Sequence, residues 1–110
     1  MKKAINIKLY IIINNQSLFD CLLMIEQNNV HSLLVSNGTK IIGSITDGDI
    51  RRALIKSRSL YTLVDNVMNT EYLFGQSEIE CQSLFDKYEY ITLIPMINDK
   101  RELLEVFLRF

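Results

Sequence analysis

The order of predicted elements in this chain repeats after about 60 residues, which limits the possible folds more than any other feature. Apolar residues spaced i, i+3, i+4 and i+7 predict one buried face of a helix. That spacing occurs twice, with Cys21 and Cys81 at equivalent positions 60 residues apart. The members of the two faces are Leu18, Cys21, Leu22 and Ile25, then Cys81, Leu84, Phe85 and Tyr88. An internal repeat of this size predicts two similar structural units.

The first unit reads as β-α-β-β-α. "LYIIIN" at 9–14 is short and rich in β-branched residues, which predicts a strand, and Ser17 is a suitable N-cap for the helix that follows. "VHSLLVS" at 30–36 and "KIIGSIT" at 40–46 are apolar runs separated by "NGT", and an Asn-Gly pair between strands predicts a hairpin. "DGDIRRALIKS" at 47–57 returns to helical spacing.

The second unit repeats this order but stops earlier. We predict a strand at 71–75, a helix opened by Ser77, and strands within 90–98 and 101–110. The chain then ends on the apolar run "VFLRF", without the helix that follows the hairpin in the first unit. We therefore expect these 110 residues to be the N-terminal fragment of a longer protein.

Composition excludes several classes of function. Twelve basic and thirteen acidic residues leave a net charge of −1, so we expect neither a nucleic-acid nor a membrane partner. No apolar run approaches the ~20 residues of a membrane span, and the N-terminus lacks a cleavable leader, which predicts a cytoplasmic protein. Cys21 and Cys81 lack the spacing of metal ligands. We expect both to be reduced and buried, with no metal site.

The strand-to-helix junction "GSITDGDIRRAL" at 43–54 contains the side chains best suited to bind a ligand. Thr46 and Asp49 follow a predicted strand, and a hydroxyl with a carboxylate three residues later can hold a vicinal diol such as a ribose. The start of a helix favours a phosphate, to which Arg51 or Arg52 could add a contact. The same residues also suit simple helix capping, so the local pattern leaves both interpretations open.

This stretch resembles a known family. Gly43, Thr46 and Asp49 match the Gly-h-x-Ser/Thr-x-x-Asp signature of cystathionine-β-synthase (CBS) domains, and "VMN" at 67–69 matches the segment that closes a repeat. The resemblance covers nearly the whole chain. It implies an α+β fold of two β-α-β-β-α CBS repeats related by pseudo-two-fold symmetry. Repeat 1 would span 1–69, and repeat 2 would span 70–110 and be truncated at its C-terminal end.

The resemblance also implies a ligand and its site. CBS pairs bind adenosine nucleotides such as AMP, ADP or ATP between the repeats, without a required cofactor. Thr46 and Asp49 would hold the ribose and Arg51 or Arg52 the phosphates, while the base would lie near Ile11, Ile12, Ser32 and Leu33. In the second copy Pro95 matches a proline of the family, but Glu105 and Leu108 replace its glycine and hydroxyl residues. We therefore expect at most one nucleotide per chain.

The sequence "TDGDIRRAL" further resembles the corresponding stretch of CBS pairs that precede sugar-phosphate nucleotidyltransferase domains in one chain. This implies a regulatory module that senses an adenine nucleotide and controls a downstream catalytic domain. The alternative is a structural homodimerisation module with an empty site, for which apolar helix positions such as Leu54, Ile55, Leu60 and Leu63 would supply the contact. We expect no catalysis in this fragment, because the lone His31 has no placed partner and no nucleophile-base pair is evident.

Overall fold

The computed structural model describes residues 1–110 as three helices and two three-stranded sheets. Short 3-10 turns at Ile7–Tyr10 and Val64–Asn66 complete the regular elements. No helix combines the length and apolar character that crossing a bilayer requires. The helices are α1 (Leu18–Asn28), α2 (Asp47–Ser57) and α3 (Glu78–Lys87), and the strands are β1 (Lys2–Lys3), β2 (Ile11–Ile13), β3 (Ser32–Ser36), β4 (Ile41–Thr46), β5 (Leu93–Ile97) and β6 (Leu103–Leu108).

The two halves of the chain have closely similar structures. β3–β4 and β5–β6 are antiparallel hairpins, and each has an irregularity in register at the last residue of its first strand. The helix before each hairpin begins after a serine that accepts a backbone hydrogen bond, Ser17 from Asp20 N at 3.1 Å and Ser77 from Glu80 N at 3.2 Å. The predicted α+β repeat of helix and hairpin is therefore confirmed.

The N-terminal segment of the first half forms an edge of the sheet of the second half. The first sheet has the order β2-β3-β4 and the second has the order β1-β6-β5, so Lys2–Lys3 pair with the second half. Ala4 continues this edge by donating to the Val106 carbonyl at 2.8 Å. In the first sheet Asn69 has the equivalent place and exchanges two backbone hydrogen bonds with Ser44. Residues 2–4 thus lie on the second half, whereas the domain boundary after residue 69 stays a prediction.

Gly43 explains how the closing segment reaches β4. A Cβ at this position would lie 2.7 Å from Met68 Sδ and 3.2 Å from the Asn69 carbonyl oxygen. A larger residue would therefore require the Met68 side chain to move and the Asn69 backbone to shift by a few tenths of an ångström. The glycine of the signature allows this close contact between backbone segments without such a shift.

The predicted strand at 71–75 is wrong, and the one at 9–14 is too long. Only Gly75 pairs with a strand, through hydrogen bonds with Pro95 and Ile97 on β5. The residues before it turn inward instead, because the Tyr72 ring is buried and its hydroxyl donates to the Ile41 carbonyl at 2.6 Å. In the predicted strand at 9–14, the first two residues belong to a 3-10 turn at Ile7–Tyr10, so β2 begins at Ile11.

Three apolar clusters form the core. One lies between α1, α2 and the first sheet, and another lies between α3 and the second sheet. The third, which we call the shared cluster, joins the two halves. Cys21 and Cys81 are both buried in the helix-packed clusters, as the sequence predicts. The shared cluster consists of Ala4, Leu34, Ile41, Tyr72, Leu93, Ile97, Val106 and Leu108.

Substitution of Tyr72 by Phe should lower the free energy of unfolding by about 1 to 2 kcal/mol. The change leaves the shape of the shared cluster intact but removes the only side-chain donor to the buried Ile41 carbonyl. Urea unfolding followed by circular dichroism measures the loss. Tyr61→Phe is the matched control, because that side chain is 87% exposed. Equal stability of Tyr72→Phe and the unmodified chain would show that this hydrogen bond does not join the halves.

The buried thiols should make the protein less stable as the pH rises above 9. Burial raises the pKa of Cys21 from 9.0 to about 12, with a further contribution from the Asp20 charge, and burial raises that of Cys81 to about 11. Above pH 9 the unfolded chain therefore releases protons that the folded chain keeps, which favours unfolding. Urea unfolding between pH 8 and 10 tests this, and Cys21→Ala should show a shallower decline. An unchanged slope in that variant would exclude the thiol as a cause.

Candidate functional site

A cleft of about 510 Å³ opens between the two halves. One wall is formed by β3, β4 and the first turn of α2, and the other by β5 with the loop that precedes it. The polar side of the cleft comes almost entirely from the first half. The residues that matter most for its chemistry are Ser32, Ser44, Thr46, Asp49 and Arg52 from the first half and Tyr90 from the second.

The pleat of the strands decides which side chains reach the cleft. Successive side chains of a strand point to opposite faces, so Ser44 and Thr46 face the cleft while Ile45 between them is fully buried against the helices. On β3 the same alternation directs Ser32 and Leu34 to the cleft. The wall therefore carries three hydroxyl groups on two adjacent strands.

Two of these hydroxyls have no partner within the protein. Ser32 is 9% exposed and Ser44 is partly buried, and neither side chain makes a hydrogen bond in the structure. A hydroxyl can both donate and accept one or more hydrogen bonds. Together they offer a polar ligand several contacts without displacing an existing protein hydrogen bond.

Thr46 and Asp49 form a capping box at the start of α2. Thr46 Oγ1 accepts from Asp49 N at 3.1 Å, and Asp49 Oδ2 accepts from Thr46 N at 3.0 Å. The helix-capping interpretation of this stretch is therefore confirmed. Both side chains also line the cleft, so capping and ligand binding are compatible uses of the same pair.

A second capping box at Ser17 and Asp20 provides an internal comparison. There the serine hydroxyl also donates to Asp20 Oδ2 at 3.0 Å, so its proton is used within the box. Thr46 Oγ1 donates no hydrogen bond in the structure, and its proton is free for a ligand in the cleft. The two boxes share the same backbone contacts but differ in the group they leave available.

Arg52 is the cation of the site. Its guanidinium NH2 donates to Asp49 Oδ1 at 2.8 Å, with the Arg52 side chain 67% exposed. Such an exposed pair contributes less than about 1 kcal/mol, so a ligand can compete for either partner at little cost. The structure places Arg51 elsewhere, beside an apolar hollow lined by Leu22, Ile50 and Leu54. Of the two predicted phosphate contacts, only Arg52 lines the cleft.

Three of the four residues predicted to lie near the base are outside the cleft. Ile12 and Leu33 are buried in the cluster under the helices, and Ile11 packs against the shared cluster. Ser32 alone lines the cleft as expected. The cause is the strand period of two, because Leu33 follows Ser32 and must face the opposite side of the sheet.

Leu34, and not the predicted Leu33, is the leucine of β3 that lines the cleft. Val35 pairs with Gly43 in the first hairpin, and Met96 pairs with Glu105 in the second. The preceding residues, Leu34 and Pro95, are therefore structural equivalents, and both line the cleft. The second unit therefore has one residue more than the first between its helix and its hairpin, and this difference is not visible without the strand pairing.

Sequence reasoning missed the contribution of the loop before β5. Tyr90 lines the cleft with 78% of its surface exposed, and Thr92 lines it while donating through Oγ1 to the Val30 carbonyl of the first half. His31 lies at the cleft edge with Nδ1 3.0 Å from Asp47 Oδ2. No local pattern marks these residues, although Ser44 could have been found from its position two residues before Thr46 on the same strand face.

The equivalent position in the second half is filled by apolar side chains. Leu93, Val106 and Leu108 correspond to Ser32, Ser44 and Thr46 in the pairing of the two hairpins. All three are buried in the shared cluster. The polar cleft therefore has no counterpart of similar chemistry on these strands.

Comparison with known proteins identifies a domain in the first half. Residues 6–56 match the model of the CBS domain, a range that includes Thr46 and Asp49. No curated protein matches the chain. The finding bears out the sequence resemblance for the first repeat.

Solved structures show the same fold over both halves. A signal-transduction protein with CBS domains from Burkholderia ambifaria is 23% identical with a TM-score of 0.71, over 90% of this chain and 75% of that one. Listeria monocytogenes CbpB, solved with c-di-AMP, is 16% identical with a TM-score of 0.76, over 99% and 85%. The CBS domain pair of protein MJ0100, solved with 5′-methylthioadenosine and S-adenosyl-L-methionine, is 18% identical with a TM-score of 0.68, over 90% and 83%. The predicted fold of a CBS pair is confirmed.

Substitution of Thr46 by Ala should lower the free energy of unfolding by about 1 kcal/mol, because Asp49 N loses the side-chain acceptor that caps α2. Ser17→Ala should lose a similar amount, since the same contact is removed from α1. Thermal or urea unfolding without ligand measures both. A much smaller loss for Thr46→Ala would mean that this box is held less firmly than the one remote from the cleft.

Proposed function

We propose that this chain, whose residues 6–56 match the CBS domain, is a regulatory module that binds an adenine nucleotide in the cleft between its halves. The ligand is AMP, ADP or ATP, and one molecule binds per chain. The module itself is not catalytic, and its occupancy controls an attached domain. The supporting observations are the chemistry of the cleft and the ligands of structurally similar proteins.

The difference between the two capping boxes is the observation that carries this proposal. The box in the cleft leaves the Thr46 hydroxyl proton free and holds the Asp49 carboxylate at the cleft surface, 28% exposed. A donor next to a carboxylate fits the two hydroxyls of a ribose, since the carboxylate accepts two hydrogen bonds and the threonine donates one to a ribose oxygen. Their positions are fixed by the helix before any ligand arrives, which lowers the entropy lost on binding.

The rest of the cleft suits the other parts of a nucleotide. Leu34 and Pro95 provide apolar surface from opposite halves for a flat base, and the free hydroxyl of Ser32 lies beside them for polar contacts with its edge. Arg52 lies on the side of Asp49 away from β4, where it can donate to phosphate oxygens. A ribose held at Thr46 and Asp49 therefore has apolar surface on one side and a cation on the other.

The ligands of similar structures support the ligand class. The Listeria CbpB structure contains c-di-AMP, and the MJ0100 pair contains 5′-methylthioadenosine and S-adenosyl-L-methionine. All of these molecules carry an adenosyl group. The shared part of the ligand is the part that Thr46, Asp49 and the apolar walls are suited to bind.

Regulation follows if the two halves have different relative orientations with and without ligand. A nucleotide that contacts both walls stabilises the orientation to which it binds more tightly, and the attached domain responds to that change. We propose that this domain is a sugar-phosphate nucleotidyltransferase downstream in the same chain, and that the protein is a cytoplasmic homodimer. The support for this attached domain is the sequence resemblance of residues 46–54 alone.

A second candidate function is homodimerisation without a ligand. Phe19, Leu23 and Ile55 on α1 and α2 are 47%, 55% and 74% exposed, which is unusual for three large apolar side chains on neighbouring helices. Leu63 is also 40% exposed, whereas Leu54 and Leu60 pack partly against the core and are less available for a partner. This surface is compatible with the sensing function and becomes the main function only if the cleft binds nothing.

Asp49→Ala should weaken binding of adenine nucleotides at least tenfold, which corresponds to about 1.4 kcal/mol. The carboxylate is the proposed acceptor for the ribose hydroxyls, and hydrogen bonds to charged groups contribute about 1.5 to 3 kcal/mol. Isothermal titration calorimetry with AMP, ADP, ATP and a guanine nucleotide measures the affinities. The unmodified chain should prefer the adenine compounds.

Asp20→Ala is the matched control, because it breaks the other capping box and leaves the cleft untouched. It should bind nucleotide as the unmodified chain does. The loss of Asp49 also releases Arg52, so a second pair of titrations uses AMP and 2′-deoxy-AMP. The unmodified chain should bind 2′-deoxy-AMP more weakly than AMP. Asp49→Ala should bind the two ligands with equal affinity. Absence of binding by every nucleotide would refute the sensing function and favour the dimerisation module.

A further inference from the structure

The cleft is not the only concave surface beside Asp49 and Arg52. A groove of about 690 Å³ runs between α2 and the segment 62–67, and it shares those two residues with the cleft. Its other polar side chains include Lys56, Ser57, Thr62 and Asn66. We call it the α2 groove. The Asp49–Arg52 ion pair therefore forms the border between the cleft and the α2 groove.

Helical spacing aligns the charged residues of the groove with the border. Asp49, Arg52 and Lys56 lie at i, i+3 and i+7 on one face of α2. At about 1.5 Å of rise per residue, Arg52 and Lys56 are about 6 Å apart along the helix axis, and Lys56 is about 10 Å from Asp49. A ligand that reaches from the cleft to Lys56 must be longer than a single phosphate.

The α2 groove has more positive charge than the cleft. Apart from the shared Asp49, which already binds Arg52, its lining contains no carboxylate. Asp65 is close in sequence, but its Oδ1 accepts a hydrogen bond from Asn15 N. The Asn66 side chain makes no hydrogen bond within the protein and can donate two to an anion.

The cleft alone is poorly suited to several phosphates. It contains two carboxylates, Asp47 and Asp49, and one guanidinium group, that of Arg52. Additional negative charge inside the cleft would be repelled by Asp47. Phosphates beyond the first therefore have their nearest favourable contacts outside the cleft, along α2.

We propose that the α2 groove is a phosphate subsite and that the cleft takes a nucleoside di- or triphosphate in preference to a monophosphate. The phosphate chain lies along α2 from Arg52 to Lys56, and the Asn66 amide contacts its far end. This inference rests on the proposed nucleotide-binding function and adds a distinct prediction, because the adenosine contacts do not involve Lys56. Exposed charge pairs are weak, so the expected preference is modest.

Titration calorimetry with AMP, ADP and ATP at low ionic strength and without Mg²⁺ tests the subsite. The unmodified chain should bind ADP and ATP about threefold to fivefold more tightly than AMP. Lys56→Gln should abolish this preference and leave the AMP affinity unchanged, whereas Lys56→Arg should keep most of it. Lys56 is exposed, so these variants should fold normally, as thermal unfolding can verify.

Lys100→Gln is the matched control, because that lysine is on the β5–β6 hairpin loop and does not line the α2 groove. It changes the net charge by the same amount and should leave the preference intact. Equal affinities for AMP and ATP, or a preference that survives Lys56→Gln, would overturn the subsite while the nucleotide-sensing function stands. Failure of the unmodified chain to bind any adenine nucleotide would overturn both.

Discussion

Burial of the shared cluster is the interaction on which the rest of this structure depends. Neither hairpin can cover the inner face of its own sheet, and the two faces are removed from water only when they meet. Apolar burial is not directional, so polar contacts must set the angle between the halves. Two such contacts join the halves: Tyr72 donates to the Ile41 carbonyl, and Thr92 donates to the Val30 carbonyl. Leu34 and Leu93 belong to both the cluster and the cleft lining, so the floor of the cleft is the surface of the core.

Helix capping and the proposed ligand contacts use the same atoms at the start of α2. The capping box fixes the positions of Thr46 and Asp49 through hydrogen bonds within the chain. The comparison with Ser17 and Asp20 shows that the motif is in the first place a device for starting helices. Only the box at Thr46 and Asp49 lines the cleft, so only that box is placed for the proposed ligand contacts. A sequence signature of this kind is therefore strong evidence for a helix start and weaker evidence for a site.

The elements that sequence reasoning located correctly are those with local signals. The helical stripe at 18–25, the Asn-Gly hairpin and the bounds of α2 each follow from contacts within a few residues. Errors arose where distant contacts decide the outcome. Residues 71–75 have strand-like composition, yet the burial of Tyr72 against the first half prevents strand pairing before Gly75. The structure also directs Leu34 to the cleft instead of the predicted Leu33, since the face of β3 that meets the cleft is set by its partner β4 and by the second half.

The apolar character of the second half has a consequence for the proposed sensing of ligand concentration. Leu93, Val106 and Leu108 form core where the first half has hydroxyls, so the proposed function has one site, which the second half supports structurally. A single independent site fills along a simple hyperbola, and no interaction within one chain can make the curve steeper. Under the proposed function, the module is suited to a graded output over a wide range of ligand concentration. A threshold response would need a second chain, with the exposed faces of α1 and α2 as the surface that couples the two sites.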